Sequence, residues 1–140
     1  MFSKTNLMST LVTTIWGFFG GYLLWGLIGD PILKDHTVSS GLMKDPPDFM
    51  HLVIGCLIVG FVVSTIYSKW ARGAHSMSQG AQYGIWLGIL MGLGSGMIDF
   101  ATSNLLDLSG TLINAVVYIV HFGIMGVFVS LIYGKMKSED

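Results

Sequence analysis

Charged residues are scarce in this chain, and their scarcity excludes a soluble globular domain. Asp, Glu, Lys and Arg together make up 11% of the 140 residues, against roughly 25% in ordinary globular proteins. Hydrophobic residues make up 52%, and the mean hydropathy is +0.68. A chain of this composition has too few polar side chains to cover a globule. The net charge of −1 gives no basic surface, so nucleic acid is not expected as a partner.

Cysteine and the common catalytic motifs are also missing. The single cysteine, Cys56, lies inside an apolar run, which excludes a disulfide framework and any metal site built from paired cysteines. The chain has no G-x-S-x-G, no Walker phosphate loop, no dinucleotide fingerprint, no H-E-x-x-H and no C-x-x-C. The sequence therefore favours a non-enzymatic protein without a cofactor, although it leaves any metal undetermined.

What the chain does have is four long apolar segments. A bilayer core about 30 Å thick needs roughly 20 mostly apolar helical residues, and segments 11–28, 46–68, 80–98 and 111–134 meet this requirement. They predict an all-α integral membrane four-helix bundle that forms one domain over residues 1–140. The first segment lacks a small-x-small cleavage site, so we expect it to be an uncleaved helix rather than a signal peptide.

Capping residues suggest where the later helices begin. Asp45 followed by two prolines predicts an N-cap for the second helix. Ser76 and Gln79 resemble a capping box before the third helix, and Ser109 is positioned to cap the fourth. Asp30-Pro31 predicts the start of a short interfacial helix that runs through His36.

The distribution of basic residues predicts the orientation. Five of the seven basic residues lie on the side of the two termini, and only Lys34 and Lys44 lie on the other. The five are Lys4, Lys69, Arg72, Lys135 and Lys137. The positive-inside rule then places both termini of a multi-pass protein in the cytoplasm, with its helices in contact with membrane lipid.

Aromatic residues lie near the ends of the segments, where an interfacial belt is expected. The cytoplasmic belt would contain Tyr67, Trp70, Tyr83, Trp86 and Tyr133, and Trp25 would lie near the outer surface. His36 and His75 fall in loops and are expected to be solvated.

The two halves of the chain are similar to each other. Gly60 to Lys69 matches Gly126 to Lys135 with an offset of 66, at Gly, Val, Ser, Ile, Tyr and Lys. The first and third segments align with an offset of 67, so that Gly21 corresponds to Gly88. This pattern predicts two helical hairpins in the same orientation, which is a parallel repeat.

Glycines mark the helix-packing faces. The third segment carries a glycine at every fourth position, and the first carries a shorter version of this stripe. The two sets are Gly80, Gly84, Gly88, Gly92 and Gly96, and Gly17 and Gly21. Such small-x-x-x-small faces let membrane helices approach closely. We expect the long stripe to pack within the chain against the first helix, with a homodimer seam as the alternative.

Polar side chains suggest one site. His121 lies deep in the fourth segment, and Asn114 and Tyr118 share its helical face. Ionisable groups inside a membrane helix are costly and functional by default. Together with three groups near the outer ends of the second and third segments, they predict an outward-opening polar pocket for a metal or proton. Those three are Asp48, His51 and Asp99.

Two alternatives to this pocket remain. His121 can instead be structural, donating to a carbonyl or an asparagine on a neighbouring helix while the acids lie among lipid headgroups. A bis-histidine haem on His51 and His121 is the weaker alternative, because the two residues differ in depth by roughly 6 Å at 1.5 Å per residue.

Several short motifs resemble a known group of proteins. They are Gly21 to Gly26, Gly41 to Asp45, Lys69-Trp-Ala71 and Ala101 to Leu108. The pattern is similar to small, uncharacterised four-span membrane proteins of bacteria, mainly of Bacteroidetes-type genomes. The resemblance covers nearly the whole chain. It implies a bacterial cytoplasmic membrane and a structural feature at Ala101 to Leu108, and it assigns no activity.

The sequence taken alone favours a structural or accessory membrane bundle, which can form homo-oligomers. A carrier or channel for a small solute, ion or proton is the rival hypothesis, and it depends on the predicted pocket. A cofactor-binding membrane subunit is the third.

Overall fold

Four helices form the protein in the computed structural model, which describes residues 2–137. They are α1 (Lys4–His36), α2 (Phe49–Trp70), α3 (Met77–Thr102) and α4 (Leu108–Lys137). Each is long and apolar enough to cross a bilayer, which indicates a multi-pass membrane protein. The all-helical prediction is confirmed over the described residues, where the β-type pairing is an isolated bridge between Thr37 and Leu106.

The helix starts follow local capping chemistry, and one of three predicted caps is correct. The Ser76 side chain accepts from the Gln79 amide at 3.1 Å, as predicted for α3. For α2 the cap is Asp48 rather than Asp45, and its Oδ1 accepts from the His51 amide at 3.2 Å. For α4 Asp107 replaces Ser109 and accepts from the Gly110 amide at 2.7 Å. In both helices the capping carboxylate lies three residues before the amide that donates to it, which is the spacing of an N-cap residue.

Helices α1 and α3 each contain a π-helical stretch. It spans Tyr22–Gly29 in α1 and Ile89–Ser95 in α3. The two stretches begin 67 residues apart, which is the offset at which these segments align in sequence. In α1 the chain continues from the π-helical stretch without a break into Asp30–Leu33. The helical conformation predicted from Asp30 through His36 is present, as the last turns of α1.

The helices pack as two hairpins. Helix α1 packs on α2, and α3 packs on α4, while α4 also contacts α1 along its length. We call the end with both chain termini and residues 71–76 the terminal end. The opposite end, with residues 37–48 and 103–107, is the loop end.

The glycine stripe of α3 faces α4, not α1 as predicted. A Cβ atom at Gly84 would collide with the Phe122 carbonyl and approach the Gly123 Cα to 2.9 Å. On the other helix, a Cβ atom at Gly126 would collide with the Gly80 carbonyl. Only glycine allows this approach of two helix backbones. The stripe is occupied within the chain, which leaves no room there for the alternative homodimer seam.

The shorter glycine pair of α1 lies in looser surroundings. A Cβ atom at Gly17 would lie 3.4 Å from the Cys56 Cβ of α2, and a Cβ atom at Gly21 would meet nothing within 4 Å. The α1–α2 contact instead tightens at Gly60, where a Cβ atom would come within 2.8 Å of the Thr13 hydroxyl.

The densest part of the bundle is a cluster of three tyrosines at the terminal end, which we call the tyrosine core. Tyr67, Tyr83 and Tyr133 are 0%, 3% and 9% exposed. The Tyr67 ring centroid lies 5.2 Å from that of Tyr83 and 5.4 Å from that of Tyr133. The prediction that these residues form an interfacial belt was wrong, because their hydroxyls find partners inside the protein. His75 was expected to be solvated, but its ring packs against Tyr133 with the two ring centroids 5.6 Å apart.

Matched positions of the two halves play matched roles in this core. The Tyr133 hydroxyl lies 3.4 Å from the Ser64 hydroxyl, and the Tyr67 side chain hydrogen-bonds to Ser130. Tyr67 and Tyr133, and likewise Ser64 and Ser130, correspond at the offset of 66. The hairpins therefore exchange one tyrosine–serine contact in each direction.

Candidate functional site

A cavity of about 90 Å³ opens at the loop end between α3 and α4. Its wall is built from the last turns of α3, the connecting loop and the first turns of α4. The lining residues are Gly96, Asp99, Phe100, Ser103, Leu105, Leu106, Thr111 and Asn114. Asp99 and Asn114, both predicted site residues, lie in this shared wall.

Backbone carbonyls already occupy the hydroxyl groups of the wall. The Ser103 hydroxyl donates to the Asp99 carbonyl at 2.8 Å, and the Thr111 hydroxyl donates to the Asp107 carbonyl at 3.0 Å. Neither ion pair in the described part of the chain includes Asp99. The Asp99 carboxylate, the Asn114 amide and the lone pairs of the two hydroxyl oxygens are thus the polar groups left to meet a solute.

Trp25 does not line the cavity, but it is bonded to Asn114 of the cavity wall. Its Nε1 donates to Asn114 Oδ1 at 2.7 Å, which leaves the amide NH₂ of Asn114 as a donor. The Trp25 ring lies edge-on to Tyr118 with centroids 4.8 Å apart. It also lies 5.1 Å from the His121 ring. Trp25 therefore connects the three predicted residues of α4.

His121 sits in an aromatic box below Trp25. Its ring stacks on Trp16 with centroids 5.6 Å apart and an interplanar angle of 21°. The Trp16 Nε1 donates to the His121 backbone carbonyl at 3.0 Å, so that α1 is tied to α4 at this level. The His121 side chain is buried, and its Nδ1 has no hydrogen-bond partner.

Asp48 and His51 form a separate pair at the start of α2. Asp48 Oδ2 and His51 Nδ1 are 2.8 Å apart, and both residues are exposed. Their contact is a helix cap rather than a wall of the cavity. Four of the six predicted residues are therefore linked through the cavity and Trp25, and these two are engaged with each other.

The end of α1 holds the loop that covers the cavity. The Val38 amide donates to the Leu105 carbonyl, and the Asp107 amide donates to the His36 carbonyl, both at 2.9 Å. His36 Nδ1 lies 3.0 Å from Asp107 Oδ2. We call these contacts the loop clasp. Hydrogen bonds from the Gly110 amide and from His36 lower the pKa of the Asp107 carboxyl. His36 is thus paired, although the sequence predicts a solvated side chain.

The side chains of the described residues do not form a cluster of metal ligands. Over residues 2–137 there is no group of three or more His, Cys, Asp or Glu side chains that could hold a metal ion. His51 and His121 have different neighbours, one a carboxylate at a helix cap and the other two tryptophans. The bis-histidine haem remains an untested alternative.

Sequence reasoning missed the two tryptophans of α1. Trp16 and Trp25 are nine residues apart and do not share a face of a regular α-helix. The π-helical stretch of α1 begins between them at Tyr22, and hydrophobic periodicity carries no signal for such a stretch. The loop residues of the cavity lie within Ala101 to Leu108, which the resemblance marked as a structural feature.

Comparisons of the chain with models of protein families, with curated proteins and with solved structures found no match.

Proposed function

We propose that this chain is a carrier or channel for a small cation that enters through the cavity at the loop end. The observation that supports this proposal is that Asp99 and Asn114 line the same cavity. Asp99 is exposed near the end of α3, and carboxylates on membrane helices commonly mark ion and substrate pathways. Because no ion pair of the described residues neutralises Asp99, the wall attracts positive charge.

The polar side chains below the cavity support a path rather than an isolated pocket. From Asn114 the contacts run to Trp25 and then to Tyr118 and His121. This series leads from the loop end toward the middle of α4. A purely structural bundle has no need for a buried imidazole with an unpartnered nitrogen.

We infer that the two hairpins arose by duplication, as in transporters built from parallel repeats. The support is the reciprocal tyrosine–serine contacts and the π-helical stretches that begin 67 residues apart. Two similar halves in contact through α1 and α4 can rock against each other, which is one route to alternating access.

We place the protein in a bacterial inner membrane with both termini in the cytoplasm, on the distribution of its basic residues and on the resemblance of its motifs. In this orientation the cavity opens to the outside. A reporter enzyme that is active only outside the cytoplasm, fused after residue 140, should be inactive, and the same reporter inserted near Gly41 should be active.

A structural or accessory bundle is the second candidate. The observation that favours it is the tyrosine core, a cluster of buried side chains that packs the helices together at the terminal end. In an alternating-access carrier the same core would be the closed gate of one state.

Flux through proteoliposomes separates the two functions. The purified protein is reconstituted, and uptake of guanidinium, K⁺ and protons is measured against empty vesicles. We expect at least one cation to move, and Asp99→Asn to abolish the movement. Asp35→Asn, at an exposed acid outside the cavity, is the matched control and should leave flux intact. If none of the three cations moves faster than in empty vesicles, the proposal is wrong and the accessory role replaces it.

Native mass spectrometry of the same preparation reports whether the functional unit is a monomer or a homo-oligomer. A mass added to the wild-type protein, and lost in Asp99→Asn, would identify a ligand of the cavity.

A further inference from the structure

We propose that His121 forms a second, deeper binding station for a compact cation bearing N–H groups, separated from the outer cavity by the side chain of Trp25. This inference rests on the proposed function, because the outer cavity is the route by which the cation arrives. It names the class of solute and the residues that would recognise it.

The first support is the free nitrogen of His121. The residue is 6% exposed, and its Nδ1 has no hydrogen-bond partner. Leaving a buried polar group unpaired destabilises a protein, so such groups need an explanation. A structural histidine would use this nitrogen to join two helices. Here the joining bond is made by the Trp16 indole to the His121 backbone carbonyl instead, and the imidazole stays available.

The second support is the chemistry of the box around it. The rings of Trp16 and Trp25 lie against the imidazole from two sides, and tryptophan is the best aromatic partner for a cation. In the tautomer protonated at Nε2, the Nδ1 lone pair accepts one hydrogen bond. The known neighbours of this ring supply no carboxylate, and a hard metal cation prefers several oxygen ligands. Ammonium or guanidinium groups, which donate N–H bonds and bind aromatic faces, fit better than K⁺.

The third support is the position of Trp25 between the two stations. On one side its indole donates to Asn114 of the cavity wall, and on the other its ring contacts His121. Rotation of this one side chain, with loss of one hydrogen bond, would join the cavity to the box. Trp25 lies in the π-helical stretch of α1, and π-type distortions occur frequently at functional sites.

The position that matches Trp25 in the other hairpin has different surroundings. At the offset of 67, Trp25 corresponds to Gly92 of α3. A Cβ atom at Gly92 would lie 2.6 Å from the Tyr118 Cβ and 2.8 Å from the Ala115 carbonyl. The α3 side is therefore packed tight against α4 at this level. At this matched pair of positions, α1 carries a bulky side chain and α3 carries none.

The test uses His121→Phe in proteoliposomes with radiolabelled guanidinium at low concentration, where uptake tracks affinity. Guanidinium is permanently charged and does not cross lipid as a neutral base. We expect initial uptake to fall about tenfold or more, because a charge-assisted hydrogen bond is lost. Thermal stability should stay equal or rise, because an apolar ring replaces an unpaired polar one. His51→Phe, at the exposed histidine of α2, is the matched control and should change neither property.

Two outcomes would overturn the second station. One is wild-type uptake in His121→Phe. The other is loss of uptake together with loss of thermal stability, which would assign His121 a structural role. If K⁺ or protons cross the wild-type protein and guanidinium does not, the solute class is wrong and the proposed function stands. If no cation crosses, the proposed function fails first.

Trp25→Phe tests the barrier between the stations. It removes the bond to Asn114 and part of the ring, so we expect faster guanidinium uptake than in the wild type. Trp86→Phe, at a lipid-exposed tryptophan of α3, is the control. Equal or slower uptake in Trp25→Phe would remove the barrier role.

Discussion

The terminal end and the loop end of the bundle differ in how their polar side chains are bonded. At the terminal end, the hydroxyl of Tyr83 donates to the Val63 carbonyl at 2.7 Å, and that of Tyr133 donates to Asn6 Oδ1 at 3.3 Å. At the loop end and below it, Asp99 faces a cavity and the Nδ1 of His121 has no partner. Polar groups with all their hydrogen bonds made rigidify the protein around them. A nitrogen without a partner can accept a hydrogen bond from a ligand.

One residue departs from this contrast. The Ser9 hydroxyl, at the terminal end, is fully buried and has no hydrogen-bond partner. It is surrounded by bonded neighbours, since the Asn6 amide donates to the Thr65 hydroxyl at 3.1 Å. Unlike His121, Ser9 has no described contact that connects it to Trp25 or Asn114, so we assign it no role in binding.

The glycine stripe of α3 shows the same contrast within a single helix. Toward the terminal end, Gly84 touches the backbone of α4, whereas at Gly96 a Cβ atom would lie 3.6 Å from the Thr111 methyl group, which is ordinary contact. The two helices are therefore pressed together at one end and diverge around the cavity at the other.

The largest expected effect tests this divergence. Gly84→Ala should lower the free energy of unfolding by about 3 kcal/mol or more, because the new methyl group meets rigid backbone. Gly96→Ala should be neutral or slightly stabilising, since alanine favours a helix over glycine. Reversible unfolding of both variants in mixed micelles measures the difference. Equal effects would mean that α3 and α4 are not packed more tightly near the terminal end.

Removing a hydroxyl group from the tyrosine core should lower the free energy of unfolding by an intermediate amount. Tyr83→Phe removes the hydroxyl that donates to the Val63 carbonyl, and we expect a loss of about 1 kcal/mol. Tyr22→Phe, at an exposed tyrosine of α1, serves as the control with no expected change. The same unfolding assay applies. An unchanged Tyr83→Phe variant would show that this hydroxyl bond does not stabilise the terminal end.

The loop clasp should give the smallest effect, visible as a local dependence on pH. Since the pKa of the Asp107 carboxyl is lowered in the folded chain, its contribution is complete above the ordinary carboxyl pKa and is lost as pH falls through the lowered value. Hydrogen exchange at the Gly110 amide, corrected for the intrinsic rate, should therefore lose protection on acidification.

Asp107→Asn provides the comparison for the clasp, because it cannot titrate. We expect its Gly110 protection to be weaker at neutral pH and nearly constant as the pH falls. A wild-type protein whose protection is the same at all pH values would contradict the role given to Asp107. Exchange at the Gln79 amide, capped by the uncharged Ser76, is the internal reference.

Much of the fold could be predicted because lipid solubility and helix length are properties of local sequence. The four apolar segments appear as α1 to α4, and the Ser76 cap lies where predicted. The ends of the helices were predicted less accurately, since α1 runs over Lys4–His36 whereas the predicted segment was 11–28. Polar and charged residues of its first and last turns hide these turns from a hydropathy criterion. A helix continues through them because its backbone hydrogen bonds do.

The candidate site was predicted in part. Asn114, Tyr118 and His121 were grouped correctly on one face because helical periodicity is a local property. Their relation to Asp99 and Trp25 depends on how α1 and α3 approach α4, which no local pattern specifies. The aromatic belt failed for the same reason, since a tyrosine near a helix end can face lipid headgroups or the protein interior.

The sequence by itself determined the number of spans, the apolar character of the chain and the residues available for chemistry, because these follow from composition and from the period of one helix. The tertiary structure decided which helix meets the glycine stripe, and it decided that the tyrosines turn inward. It also left the imidazole of His121 unpaired between two tryptophans. Those outcomes depend on distances between helices, which are set by the fit of side chains far apart in the chain.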